Sequence, residues 1–187
     1  MKKNKCVFLD RDGVLIEDVG YLKNPEDIII MPNSVEALQT LKARGFLLII
    51  VTNQAGVAKG FFNMDELTAV NNRLLKIYED NGIIIDDLYF CPHHESGTVE
   101  PYNIKCSCRK PAAGMVLKGI EKFSIDPLKS FMAGDKDSDI MLAKNSGLKS
   151  FYIKNAMYKH DESIIPDFYV KDLKEAADII IKSRILN

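Results

Sequence analysis

Short apolar runs alternate with longer amphipathic stretches along this chain, a rhythm that few folds accommodate. CVFL (Cys6–Leu9) and FLLIIV (Phe46–Val51) read as buried strands, and DLYF (Asp87–Phe90), SFMA (Ser130–Ala133) and SFYI (Ser150–Ile153) as further ones. Between them, Val35, Leu38 and Leu41 recur at helical spacing, with Asn33 or Ser34 as the cap. A second helix opens at Asp65 and runs through Leu67, Val70, Leu74 and Ile77 to near Gly82. Met115, Leu117, Ile120 and Phe123 mark a third, Ile140 to Ala143 a short fourth, and Lys171 to Leu186 a terminal one. Strand followed by helix, repeated, predicts an α/β fold: a Rossmann-like parallel sheet flanked by helices, joined by right-handed crossovers. At 187 residues and 47% hydrophobic, without repeats or linkers, the chain is expected to form a single domain over 1–187.

Several function classes are disfavoured from the start. Lysine plus arginine (25) balances aspartate plus glutamate (26), a net charge of −1, without the basic excess of a nucleic-acid binder. No apolar run approaches the roughly 20 residues of a membrane span, and the stretch after the basic start is shorter than a secretory signal core. The expectation is a cytoplasmic protein acting on a small molecule, with no nucleic-acid or membrane partner.

Parallel sheets of this type bind ligands beyond the carboxyl ends of their strands, and the unusual polar residues fall there. Asp10 and Asp12 follow the first strand in FLDRDGVL. One Asp–Gly pair is an ordinary turn; two aspartates one residue apart at a strand mouth can share a pocket, one attacking while the other moves a proton. Thr52, Asn53 and Gln54 follow the second strand, a weak motif on its own. Arg109 and Lys110 stand together before Pro111, and Asp135, Asp137 and Asp139 follow the fourth strand. Solvated charge and helix capping would account for some of these residues, but not for their concentration at successive strand ends. Together they supply a nucleophilic carboxylate, a hydroxyl, a cationic clamp and acidic ligands suited to Mg²⁺, the requirements of phosphoryl transfer.

A turn-rich loop carries Cys91 and His93, then Cys106 and Cys108. Three thiolates and an imidazole make a tetrahedral structural zinc site, with His94 an alternative to His93. The loop is poor in aliphatic residues, mainly Val99 and Ile104, so metal binding would replace a missing core. Cys108 directly precedes Arg109 and Lys110, so zinc would also fix the base of the clamp. Cys6, inside the first strand, reads as core.

DRDGV, the strand-end threonine, the lysine before proline and GDKDSD resemble the four motifs of the haloacid dehalogenase-like phosphatases, from Cys6 to about Ile153. The resemblance implies that Asp10 is the nucleophile and Asp12 the general acid and then base. Thr52 and Lys110 would hold the phosphoryl group, and Mg²⁺ would sit on Asp10, Asp12 (through its backbone carbonyl) and Asp135. Asp139 would support the metal from behind, and Asp137 would be structural. CPHH followed by C-x-CRKP narrows the likeness to the zinc-loop branch, that of the heptose-bisphosphate phosphatases and their histidinol-phosphatase relatives. That branch implies a monomer with a minimal cap and substrate contacts at Asp10, Arg11 and Asp12, Asp18, Val19, Gly20 and Tyr21, Thr52 to Gln54, and Arg109 with Lys110. The implied reaction removes the 7-phosphate of D-glycero-D-manno-heptose 1,7-bisphosphate, a step toward nucleotide-heptose precursors of lipopolysaccharide. The rivals are histidinol-phosphate hydrolysis and a non-catalytic zinc-loop module.

Overall fold

The computed structural model describes residues 3–182. Six parallel strands form one sheet in the order β3-β2-β1-β4-β5-β6. They are β1 (Cys6–Leu9), β2 (Leu47–Asn53), β3 (Asp87–Cys91), β4 (Phe131–Gly134), β5 (Lys149–Ile153) and β6 (Phe168–Val170). Four helices connect them, α1 (Ser34–Ala43), α2 (Met64–Asp80), α3 (Gly114–Phe123) and α4 (Asp137–Ser146), and α5 (Leu173–Lys182) follows β6. The chain order reverses at β1, which pairs with β2 on one side (Val7 opposite Leu48) and β4 on the other (Val7 opposite Phe131). Such a switch point opens a crevice at the carboxyl ends of the strands.

β1 is buried along its whole length because the sheet is covered on both faces. Alternate residues of β1 and β2 go to opposite sides, as the strand period of two requires. Val7, Leu9, Leu48 and Ile50 pack with Leu38, Leu41, Val70, Leu74, Ala176 and Ala177 of α1, α2 and α5. Cys6, Phe8, Ile49 and Val51 pack with Met115, Val116, Leu142 and Ala143 of α3 and α4, so Cys6 is a core residue.

The architecture matches the sequence-based expectation, with local departures. β6 was not foreseen; three residues carry no readable period, and it is held by Asp167, which accepts from Ser150 N and Oγ at 2.8 Å each. α4 is longer than its apolar residues indicated, because its first turn is the acidic segment after β4. Asn33 stands at the N-cap of α1 but does not cap with its side chain; its backbone is left-handed (φ 64°) and its amide faces Asp172. α2 begins one residue earlier than expected, fixed by a capping box in which Asn63 and Glu66 each bond the other's backbone N–H. The terminal helix starts at Leu173 rather than Lys171, and the expected stretch beyond Lys182 lies outside the described residues. The connection from β1 to α1 holds a 3₁₀ turn at Pro25–Asp27 and isolated bridges at Ile16, so no separate cap is built there. Among the described residues, no helix is long and apolar enough to cross a membrane.

Candidate active site and metal centre

The four polar clusters meet in the crevice at the ends of β1, β2 and β4. Asp10 leaves β1 fully buried, its backbone N–H donating to Ala133 O of the neighbouring strand. Lys110, buried to 4% exposure, reaches Asp10 Oδ1 at 2.8 Å and Asp139 Oδ1 at 2.7 Å, and donates to Val51 O. Ligand oxygens of Asp10, Asp135 and Asp139 all lie within 4.8 Å of one another. Packing this close demands glycine nearby. Gly13 has a positive φ of 84°, and a Cβ there would stand 2.0 Å from Asp135 Oδ2; one on Gly134 would meet Asp139 Oδ2 at 2.4 Å.

The electrostatics and the donor set fit a divalent cation. Burial, with the Asp10 charge adding to it, pushes the Asp135 carboxyl up to about 7. Burial likewise raises Asp139 to about 6, against the pull of Lys110. Asp135 Oδ2 accepts from Asn155 Nδ2 at 2.7 Å, while its Oδ1 is buried with no hydrogen-bond partner among the described residues. A hard divalent cation fits this oxygen-only set and would satisfy the orphaned atom. Asp139 is already engaged by Lys110 and the Lys136 N–H, which leaves Asp10 and Asp135 the freer ligands.

Asp12 sits slightly further out. Its carboxylate accepts from Gln54 Nε2 at 2.8 Å, and Thr52 Oγ1 lies 3.5 Å from Oδ2. Gln54 also donates to Thr52, tying the two strand-end residues together. Asn53, expected at the substrate, turns its amide onto the Lys110 backbone instead. The Arg11 guanidinium is likewise turned inward, 1% exposed, onto Asp12 and Asn71. Val19, Gly20 and Tyr21 are exposed, and Tyr21 stacks on Phe61 with centroids 4.1 Å apart. Arg109 is half-buried, its Nη1 donating to His93 O. Asp18 bonds Lys136 Nζ and Tyr158 Oη. Asp137 accepts from His160 and from the Asp161 N–H, ordering the segment after β5.

Lys136, Asn155 and Tyr158 were not foreseen. Burial lowers the Lys136 ammonium's affinity for its proton, but Asp10, Asp135 and Asp18 more than reverse this and hold its pKa well above the ordinary value. Both Lys136, inside GDKDSD, and Asn155, two residues past β5, obey the strand-end rule and could have been found by applying it to every strand.

The second cluster lies in the loop after β3. The sulfurs of Cys91, Cys106 and Cys108 stand 3.1–3.5 Å apart, and His93 Nδ1 is 3.4 Å from Cys108 Sγ and 3.7 Å from Cys91 Sγ. A disulfide needs about 2.05 Å; a tetrahedron of Zn–S bonds of about 2.3 Å has edges of about 3.8 Å. These four atoms approach the second geometry, and the thiolate and imidazole set suits zinc. His94 points elsewhere, its Nδ1 accepting from the Ser96 N–H. The loop is also stapled to the turn after β2, since Thr98 N and Val99 N both donate to Ala58 O.

Comparison with known proteins agrees with this geometry. A family model described as "HAD-hyrolase-like" matches residues 107–176. The chain is 43% identical over 146 residues to the D-glycero-beta-D-manno-heptose-1,7-bisphosphate 7-phosphatase of Pasteurella multocida (strain Pm70), covering 78% of this chain and 79% of that one. It is 35% identical over 153 residues to a D-glycero-alpha-D-manno-heptose-1,7-bisphosphate 7-phosphatase of Photorhabdus laumondii, covering 81% and 84%. The crystal structure of D,D-heptose 1,7-bisphosphate phosphatase from B. bronchiseptica, complexed with magnesium and phosphate, superposes with a TM-score of 0.80 at 26% identity, covering 95% and 98%. With its strand-end carboxylates, clamp lysine and Cys/His loop in place, this chain belongs to the heptose-1,7-bisphosphate 7-phosphatase family of haloacid dehalogenase-like phosphatases.

Proposed function

We propose that this chain removes the 7-phosphate of D-glycero-D-manno-heptose 1,7-bisphosphate through an aspartyl-phosphate on Asp10, with the β-anomer preferred. The observation that carries the reading is the buried constellation of Asp10, Lys110, Asp135 and Asp139. An Asp10 oxygen attacks phosphorus, and the bond from phosphorus to the sugar O7 breaks. Asp12, in its acid form, gives a proton to the departing oxygen. Water then attacks the phosphoenzyme while Asp12 takes its proton, freeing phosphate and the Asp10 carboxylate. Lys110 and Thr52 hold phosphoryl oxygens. Asp10, the Asp12 backbone carbonyl and Asp135 would hold Mg²⁺, which neutralises charge on the transferring group.

Cys91, His93, Cys106 and Cys108 would hold a structural zinc, all four positions being filled by protein. Arg109 would bind the remote 1-phosphate, since a guanidinium pairs bidentately with phosphate and repels an amine. Asp18 to Tyr21 would line the sugar, and Arg11 would contribute there only through its backbone. The β-anomer preference rests on the relatives at 38–43% identity, which carry the beta name, against 35% for the alpha-named one. The reading takes residues 1–187 as one monomeric, cytoplasmic domain.

The test is phosphate release with Mg²⁺ from the β- and α-bisphosphates, histidinol phosphate and p-nitrophenyl phosphate. The expected order of kcat/KM places the β-bisphosphate first, and Arg109→Ala should harm it more than p-nitrophenyl phosphate. A higher value for histidinol phosphate would overturn the substrate, and no turnover of any substrate would overturn the enzyme.

A further inference from the structure

Arg11 is the largest fully buried side chain in the described structure, next in sequence to Asp10 and turned onto Asp12 and Asn71. Its guanidinium is bonded along two edges. Nε lies 3.2 Å from both Asp12 oxygens, Nη2 donates to Asp12 Oδ1 at 2.9 Å, and Nη1 donates to Asn71 Oδ1 at 2.8 Å. Asn71 projects from the buried face of α2, where Leu67, Val70, Leu74 and Tyr78 are otherwise packed, and it is 4% exposed. Its Nδ2 has no hydrogen-bond partner among the described residues. An arginine offers only donors, so the amide oxygen must face it. A polar side chain kept on that face for its oxygen alone has one evident use, to orient the guanidinium.

We infer that Asn71 is a positioning residue for the reaction: through Arg11 it sets the direction in which the Asp12 carboxylate faces the reacting phosphorus. The inference rests on the reading of Asp12 as acid and base. A fork bonded on two edges cannot pivot. With Nη1 released, the guanidinium swings toward another acceptor, and Asp12, paired along the Nε–Nη2 edge, turns with it. Displacements of about 1 Å at such a group cost roughly 100-fold in rate. Both half-reactions need Asp12 when the leaving group is a sugar alkoxide. With p-nitrophenyl phosphate the first step needs no proton, because nitrophenolate leaves as the anion. Only hydrolysis of the phosphoenzyme then requires Asp12 to take a proton from water.

That asymmetry gives the experiment. Full-length protein carrying Asn71→Leu is mixed rapidly with p-nitrophenyl phosphate and saturating Mg²⁺. The expected trace is a burst of nitrophenolate approaching one equivalent per enzyme, followed by a steady state roughly 10- to 100-fold below wild type. Asn71→Asp retains an acceptor for Nη1 and should recover most of the steady-state rate, and it remains informative if the leucine variant fails to fold. Wild-type steady-state turnover in Asn71→Leu would overturn the inference. So would a burst and steady state that fall in parallel, or equal losses in folded Asn71→Leu and Asn71→Asp. Asp12→Asn, measured alongside, separates the two questions: if it gives no burst-and-stall trace, the reading of Asp12 itself fails.

Discussion

Asn53 holds the backbone of Lys110 at both ends: its Nδ2 donates to Lys110 O at 3.1 Å, and its Oδ1 accepts from Lys110 N at 2.9 Å. The end of β2 is thereby fastened to the base of the clamp. Asn53→Ala should leave the fold intact and lower kcat/KM by about tenfold, because Lys110 loses its fixed approach to Asp10. Inhibition by inorganic phosphate reads the same change, as a weaker inhibition constant; unchanged inhibition and turnover would contradict it.

Asp10→Asn removes the carboxylate charge proposed to attack phosphorus while leaving Lys110 its ion pair with Asp139. Turnover should fall by several orders of magnitude, with circular dichroism and cooperative melting retained. Near-normal turnover in this variant would eliminate the covalent route.

The carboxylate cluster predicts a linkage between pH and metal. The Asp135 carboxyl is pushed up to about 7 by burial and by Asp10, from an ordinary 3.8. A carboxyl raised on folding binds protons more tightly in the folded chain. Its stabilising effect is therefore full below the unfolded pKa and is lost as pH rises through about 7. Metal-free protein should lose stability over that window, and the gain in Tm from Mg²⁺ should be larger at pH 8 than at pH 5. Melting curves in chelator and in excess Mg²⁺ at the two values decide it; an equal gain at both would refute the linkage.

Protein purified without chelator should contain about one zinc per chain. Cys108→Ser should lower turnover even with Mg²⁺ saturating, because Arg109 and Lys110 follow directly in sequence. Full activity in demonstrably zinc-free protein would remove the scaffold role.

Much of this was legible in the sequence because a parallel sheet collects strand ends. Asp10, Thr52 and Asp135 could be brought together from their places at the ends of predicted strands, with Lys110 added from its motif before Pro111, although 125 positions separate the first from the last. What could not be read were side-chain directions. Arg11 and Asn53 lie within the right motifs, but each turns its polar end onto a neighbouring residue, a choice made by packing against α2 and by the reach of Lys110. Asn71 carries no motif at all; it is one asparagine on a helix that otherwise reads as amphipathic. β6 was missed for want of length.

The position of β1 between β2 and β4 has a consequence for how the chain is made. β2 pairs with β1 after about 40 residues of intervening chain, but β4 pairs Phe131 with Val7 across 124 positions. At a synthesis rate of about 5–20 residues per second, β4 trails β1 by roughly 6–25 s. During that interval the nascent chain presents an unpaired edge at β1 with Asp10 at its tip and neither Asp135 nor Asn155 yet available. Asp10 is therefore translated well before Asp135 and Asn155, and the crevice around it closes only once β4 and β5 have followed.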